Sequence, residues 1–169
     1  MKRLFLLTLL VITSINLSSQ SKSKAEKEAE GIALFNSAIA AIEAKDFATV
    51  PDLWESSSNS ITEANTDDYN FIGFENGFLY LQGMIVASNS YTNKTTVKEM
   101  TNEFDKKGNY KVVMQVMGAA LSARVEIFLK KGGNYAEFIV TPSKGVVRRF
   151  SGEIVHRAQS KYRKRANEI

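Results

Sequence analysis

The sequence predicts a mainly β fold: a curved antiparallel sheet of seven or eight strands that closes into a barrel or sandwich, with one amphipathic N-terminal helix. Three observations lead to this prediction. Runs of branched and aromatic residues recur about every 8–12 residues, with turn residues between them. The dipeptide Asn76-Gly77 lies between two of these runs. Clear helical periodicity is found before residue 45.

The first element is predicted to be a helix. Ser23 and Glu26 have the spacing of a capping box, in which each side chain bonds to the other residue's backbone N–H. Apolar residues then recur at intervals of three and four from Ile32 to Ile42, and the pattern ends near Ala44. A single apolar stripe of this kind indicates a helix that packs against a sheet.

The strongest strand signal is the hairpin at Asn76-Gly77. Both residues of such a turn need a positive φ, which asparagine and glycine adopt at low cost. In the second strand, residues 78–87, side chains on both faces are largely apolar, which is typical of a strand that is covered on two sides. Gln82 is the polar exception. A buried amide there would need hydrogen-bond partners from a neighbouring backbone or from a ligand.

Further strands are predicted on both sides of this hairpin, and two polar stretches, residues 55–68 and 89–96, are predicted as loops. The predicted strands are Asp46–Val50, Val97–Phe104, Tyr110–Met117, Ala119–Leu129, Tyr135–Thr141 and Val146–Val155. Turns rich in lysine and glycine at 106–109 and 130–134 are predicted as hairpin tips. A cone-shaped α+β fold like that of nuclear transport factor 2 is the alternative, suggested by the helix that leads into Lys45-Asp-Phe47.

Residues 1–20 have the pattern of a secretory signal peptide, because Lys2 and Arg3 precede an apolar run that small polar residues follow. The run is shorter than the roughly 20 residues that cross a bilayer. We therefore expect export to the periplasm or the cell exterior, with cleavage near Gln20. An uncut membrane anchor is the alternative. Residues 21–155 are expected to form a single β-rich domain, followed by a basic tail at 156–169.

The formal net charge of +4 arises from the two ends of the chain. Between residues 21 and 155, fifteen basic side chains face seventeen acidic ones, whereas five basic residues lie in the last thirteen positions. The body is therefore slightly acidic, and nucleic acid is not an expected partner. The chain has no cysteine, which excludes disulfides, thiolate metal sites, a cysteine nucleophile and a lipid anchor on an N-terminal cysteine.

The sequence contains no recognisable catalytic set, so we expect a protein that is not an enzyme. His156 is the only histidine that could act as a base, and no nucleophile elbow is present. Asp67 and Asp68 do not have the spacing of a calcium loop, and no phosphate-binding loop occurs, so no metal or cofactor is expected. A hydrolase that uses a pair of carboxylates chosen from Glu75, Glu126 and Glu137 is a minor alternative.

Two kinds of binding site are considered instead. If the sheet curls with its polar face inward, Gln82, Arg124 and Glu126 are candidates to orient a small ligand in an otherwise apolar pocket. If that face points outward, these residues are solvent-facing. The basic tail is a second candidate, because it could dock on an anionic surface of the envelope. The sequence makes no prediction about the oligomeric state of the protein.

Several short motifs, in this order and spacing, resemble the exported bacterial family DUF4251, a domain of unknown function. The motifs are Asn70-Phe-Ile, Gln82, Lys106-Lys-Gly-Asn109, Val116-x-Gly118, Val125-x-Ile-x-Leu129, Asn134-Tyr-Ala136 and Phe150-Ser-Gly152-x-Ile154. The resemblance covers the chain from about residue 30 to the end. Ser88–Asn93 replaces the family's usual glycine-rich passage. The resemblance implies no catalytic residues, and the expected function is a non-enzymatic envelope module that binds a small apolar ligand or a cell-surface component.

Overall fold

A computed structural model of the chain describes residues 22–55, 62–65, 67–86 and 88–169. The expected signal peptide, residues 1–20, lies outside the described residues. The described part contains one α-helix, α1 (Lys24–Glu43), and one antiparallel sheet that is strongly curled into a half-barrel. A mainly β fold with an N-terminal helix is therefore confirmed. In the part of the chain that is described, a single α-helix precedes this large sheet, which does not match the cone-shaped α+β alternative.

Within the described residues, the sheet has eleven strands, which follow the helix along the chain. They are β1 (Phe47–Thr49), β2 (Leu53–Glu55), β3 (Thr62–Ala64), β4 (Phe71–Glu75), β5 (Phe78–Gly83), β6 (Ser88–Phe104), β7 (Tyr110–Gly118), β8 (Ser122–Leu129), β9 (Tyr135–Pro142), β10 (Arg148–Glu153) and β11 (Val155–His156). Their order across the sheet is β11-β1-β4-β5-β6-β7-β8-β9-β10-β2-β3. Most neighbours in the sheet are therefore also neighbours in the sequence.

The predicted number of strands, seven or eight, is wrong. The stretch predicted as a loop at 55–68 contributes β3, and the last predicted strand is divided at Ile154 into β10 and β11. Conversely, the predicted loop at 89–96 and the strand after it form the single strand β6. Two of its buried polar residues are paired with backbone carbonyls, since Asn93 Nδ2 donates to Leu81 (3.1 Å) and Thr95 Oγ1 to Leu79 (2.7 Å). Because these residues are polar, the sequence lacks the apolar alternation that would predict a strand here.

Two chain segments each contribute strands to both ends of the sheet. One segment contains β1 and β2, and the other contains β10 and β11. β1 pairs with β4 and β11, whereas β2, which follows β1 after a short link, pairs with β10 and β3. β10 and β11 are likewise consecutive in the chain. Gly152 lies at this junction, where a Cβ atom would be 3.0 Å from both Thr49 Cγ2 and the Val50 carbonyl oxygen. The glycine allows the bent segments to approach closely.

The predicted Asn76-Gly77 hairpin is confirmed. Asn76 has φ 50° and Gly77 has φ 83°, and the turn joins Glu75 to Phe78 at the ends of β4 and β5. The predicted helix cap is also present, because Glu26 N–H donates to Ser23 Oγ at 3.2 Å and Ser23 N–H donates to Glu26 Oε2 at 2.7 Å. Local sequence signals therefore define both of these features.

The core fills the inner face of the curled sheet. Along β8, Val125, Ile127 and Leu129 are fully buried, while Arg124 is exposed on the opposite, outer face. The apolar stripe of α1 packs into the same core through residues such as Phe35 and Ile42. Ile32, the first residue of the predicted stripe, is instead 42% exposed. Buried positions alternate in the same way on β7 and β9. The interior of the sheet is thus occupied by the protein's own side chains.

Candidate functional site

The buried amide of Gln82 is satisfied by the protein's own C-terminus. Gln82 is fully buried on the outer face of β5. Its Nε2 donates to the carbonyl oxygens of Tyr69 (2.8 Å) and Arg163 (2.9 Å), and its Oε1 accepts from the backbone N–H of Arg165 (2.8 Å). Thr92 Oγ1 also donates to Gln82 Oε1. The partner that this side chain needs is therefore a backbone segment of the same chain.

We call residues 157–169 the C-terminal strap. Its last residues pair with the first half of β6, where the N–H of Thr92 donates to the Asn167 carbonyl (2.9 Å) and the N–H of Lys94 donates to the Ile169 carbonyl (2.7 Å). The bridge between Thr92 and Glu168 is parallel. Since the ladder between β6 and β7 begins at Thr95, the strap adds a short strand where this edge of β6 is otherwise open.

The outer face of β4 and β5, the edge of β6 and the segment just before β4 form the surface on which the strap lies. We call it the strap groove, and it comprises Tyr69, Phe71, Glu75, Tyr80, Gln82 and Thr92. The Tyr162 ring stacks on Phe71 with a centroid distance of 4.3 Å, and Phe71 is fully buried. Lys164 Nζ lies 3.4 Å from the centre of the Tyr80 ring. Stacking and cation–π contacts thus accompany the backbone hydrogen bonds.

Acidic side chains of the body pair with the basic residues of the strap. Arg157 Nε donates to Asp46 at 2.8 Å, and Arg163 Nε donates to Asp68 at 2.7 Å. Lys164 forms an ion pair with Glu75. The guanidinium of Arg165 lies 3.8 Å from the centre of the Tyr69 ring, while Lys161 is exposed. Most of the tail's cations are therefore engaged by the protein itself.

Burial perturbs the titration of groups in the strap groove. It lowers the pKa of the Lys164 ammonium below its ordinary value, although the Glu168 carboxylate acts in the opposite direction. Burial raises the pKa of Tyr80, and the charge of Glu168 raises it further. The pKa of Tyr162 is also raised, chiefly by burial. These side chains therefore share a partly dehydrated site.

The three residues predicted to share a ligand pocket are not brought together. Arg124 and Glu126 lie on the outer face of β8, where Arg124 Nη2 and Glu126 Oε1 are 3.1 Å apart, and Lys111 Nζ is 3.7 Å from the same oxygen. Gln82 is three strands away on β5, under the strap. The cup with this polar face turned inward is therefore absent, because the inner face carries the apolar residues.

A cavity of about 220 Å³ lies at one end of the half-barrel. Its walls come from the turn Met84–Val86, the turn between β7 and β8, and the loop between β9 and β10. Ile85 and Val140 are buried lining residues, and Val146, also in the lining, is 54% exposed. Lys144 and Arg148 add positive charge. The cavity is smaller than the roughly 300–1,000 Å³ of pockets for drug-sized ligands.

A wider, shallow depression of about 420 Å³ lies on the outer face beside Arg124. Met117, which lines it, is 54% exposed. Glu126 is not part of its lining, so only one of the three predicted residues contributes to it. This depression is open along the sheet surface.

Candidate catalytic residues are held by other partners. Both ring nitrogens of His156 are engaged, because Nε2 lies 2.9 Å from Asp46 Oδ2 and Nδ1 accepts from the N–H of Ala158 at 3.4 Å. Glu137 pairs with Lys130 on the exposed face of β9. Among the described residues, no group of three or more histidine and acidic side chains is placed to hold a metal ion. In the same part of the chain, no helix is both long and apolar enough to cross a membrane.

Sequence reasoning found Gln82 but missed its partners. Tyr162 and Lys164 belong to a polar, basic tail that carries no strand periodicity, so the sequence indicates a solvated end. The one available signal was the need of a buried amide for several hydrogen bonds. That signal does not say which part of the chain supplies them.

The comparisons with known proteins bear on the fold. No family model and no curated protein sequence matches the chain. The crystal structure of a DUF4251 family protein from Bacteroides eggerthii aligns with a TM-score of 0.66 and 23% sequence identity, over 79% of this chain and 94% of that chain. The resemblance inferred from the motif order is thus confirmed in structure: the chain has the fold of this DUF4251 family protein, a domain of unknown function.

Proposed function

We propose that the protein is a non-enzymatic binding module of the cell envelope that takes a small apolar molecule at the open end of its half-barrel. The observation that carries the proposal is the cavity of about 220 Å³ between the turns at that end. Ile85 and Val140 are buried apolar side chains in its lining. Burial of apolar ligand surface there gives roughly 25 cal/mol per Å² before the costs of association.

The polar groups of the cavity suggest which molecules it accepts. Lys144 and Arg148 are part of its lining, as are Tyr91 and Asn93. An apolar molecule with one acidic end group suits this combination, since a few polar groups at an apolar site set the orientation of a ligand. The small volume favours a short ligand over a long lipid chain.

The proposal also includes export. It rests on the charged start and the apolar run within residues 1–20, which are typical of a secretory signal. Fractionation of cells that produce the full chain tests it. Recovery of a shortened protein from the periplasm or medium is the expected result, and a full-length cytoplasmic protein contradicts it.

Ligand binding is tested with a pair of alanine substitutions in one turn. Ala120 lines the cavity and Ala119 does not, and both are exposed. We expect an apolar fluorescent dye with an acidic group to bind the native protein, and Ala120→Phe to weaken this binding much more than Ala119→Phe. Native mass spectrometry of protein purified from its own envelope fraction then looks for a co-purifying small molecule. Equal dye binding by both variants contradicts the assignment of the site.

The alternative, a module that docks on an anionic surface through its basic tail, receives less support. It requires cations that are free to meet an external surface. Arg157, Arg163 and Lys164 are instead paired with Asp46, Asp68 and Glu75. Breaking each pair would offset the attraction to the surface, so the cavity is the stronger candidate.

A further inference from the structure

The C-terminal strap is held in the manner of a bound peptide. Gln82 contacts its backbone on both sides of Lys164, as a donor to the Arg163 carbonyl and an acceptor from the Arg165 N–H. Residues 167–169 then extend the edge of β6. Backbone pairing of an extended segment with an open strand edge is the recognition mode called β-augmentation.

The groove also selects side chains. Phe71 receives the ring of Tyr162, and Tyr80 together with Glu75 receives the ammonium of Lys164. The acidic groups near the groove complement a basic segment, and the body of the protein is slightly acidic. An aromatic residue two positions before a lysine is therefore the pattern that the groove fits.

The strap is not an ideal occupant. Among the described residues, no group accepts a hydrogen bond from the buried Arg165 Nε. Within the strap, Ser160 and Lys161 are polar and at least partly exposed, ahead of the residues that contact Gln82 and β6. A competing segment that avoids the unpaired donor can therefore replace the strap without disturbing the inner core, which lies on the other face of the sheet.

We propose that the strap groove is a recognition site for extended basic peptides with an aromatic-x-lysine pattern, and that the C-terminal strap is its intramolecular, autoinhibitory occupant. The partner is a protein segment of this chemistry. This inference does not depend on the ligand proposed for the half-barrel cavity, because the two sites lie on opposite faces of the sheet.

The test uses the full chain, folded before it is cut. A recognition sequence for a specific protease is inserted between Ser160 and Lys161, and the purified protein is cleaved there. We expect the segment 161–169 to remain bound through gel filtration and to exchange with a fluorescent synthetic peptide of the same sequence. Saturable exchange, with the inner core still folded by circular dichroism, supports the proposal.

Peptide variants provide the matched control. A Lys164→Ala peptide should bind about tenfold more weakly, whereas a Lys161→Ala peptide should bind like the parent because Lys161 is exposed. Three outcomes overturn the proposal: unfolding on cleavage, loss of the segment with no rebinding of the labelled peptide, or equal binding of both variants. If uncut protein forms dimers by exchange of straps, the occupant is a second copy and the proposed foreign partner is wrong.

Discussion

The backbone N–H of Arg165 donates to the buried Oε1 of Gln82 at 2.8 Å, although the two residues are 83 positions apart. This contact joins the centre of the sheet to the end of the chain. A buried amide is costly unless its donors and acceptors are all paired. The C-terminal strap is therefore part of the folded structure that Gln82 requires.

Replacement of this amide tests that dependence. Gln82→Leu keeps the approximate volume but removes the side-chain donor to the carbonyls of Tyr69 and Arg163. The Arg165 N–H loses one of its two acceptors and keeps its bond to Thr92 Oγ1 at 3.0 Å. We expect a loss of about 3 kcal/mol in the free energy of unfolding, measured by urea denaturation. Gln115→Leu, at an exposed glutamine on β7, is the control and should change stability by less than about 0.5 kcal/mol. Equal effects would show that the Gln82 contacts contribute little.

The stack between Tyr162 and Phe71 predicts the effect of shortening the strap side chain. Tyr162→Ala exposes the ring of Phe71, which is otherwise fully buried, and removes a hydrogen bond to Glu75. We expect the free energy of unfolding to fall by about 2–3 kcal/mol. The exposed Tyr135 provides the matched variant, Tyr135→Ala, for which a loss below about 1 kcal/mol is expected. A small loss at Tyr162 would mean that the strap is only loosely held.

The sequence predicts those elements whose signals are local. Asn76-Gly77 defines its hairpin through two positive φ angles, and Ser23 with Glu26 defines the start of α1. The strand β8 is predicted from its alternation of buried and solvent-facing residues, although it begins at Ser122 and not at the predicted Ala119. Strands that depend on distant partners are missed or misjudged. The start of β6 reads as a loop because Asn93 and Thr95 are buried through bonds to β5, which no pattern within β6 reveals.

The candidate site was predictable only in part, for the same reason. Gln82 stands out in an apolar strand, but its grouping with Arg124 and Glu126 assumed that the polar face turns inward. The sheet curls toward the face that carries more apolar side chains, because that face is buried against α1 in the core. The inner face contains Val125, Ile127 and other fully buried residues, so the polar residues of β8 face outward.

The sequence and the structure predict opposite effects of Gly31 on stability. As a glycine within a helix it lowers intrinsic stability by up to about 1 kcal/mol relative to alanine. In the fold, a Cβ at Gly31 would lie 2.3 Å from the carbonyl oxygen of Gly132 in the turn between β8 and β9. We expect Gly31→Ala to destabilise the protein by about 1–3 kcal/mol despite its higher helix propensity. Thermal denaturation measures this, with Gly133→Ala as control because a Cβ there has no atom within 4 Å. A stabilised Gly31→Ala variant would contradict the close approach of helix and turn.

Tyr110 predicts how stability depends on alkaline pH. Burial, assisted by the carboxylate of Glu43, raises the pKa of Tyr110 to about 12, whereas an unfolded tyrosine ionises near pH 10. Because the unfolded state loses this proton first, the stabilisation is complete below about pH 10 and is lost as the pH rises toward 12. In urea unfolding between pH 9 and 12, the decline should therefore be about 2 kcal/mol smaller in Tyr110→Phe than in the native protein. Tyr80 and Tyr162, whose pKa values are also raised, contribute to the decline in both proteins. Tyr135→Phe, at an exposed tyrosine, is the control and should retain the full decline. If Tyr110→Phe loses stability with the same slope as the native protein, the hydroxyl of Tyr110 is not protected by Glu43 and the core, and the contact between α1 and β7 is weaker than its 3.1 Å hydrogen bond indicates.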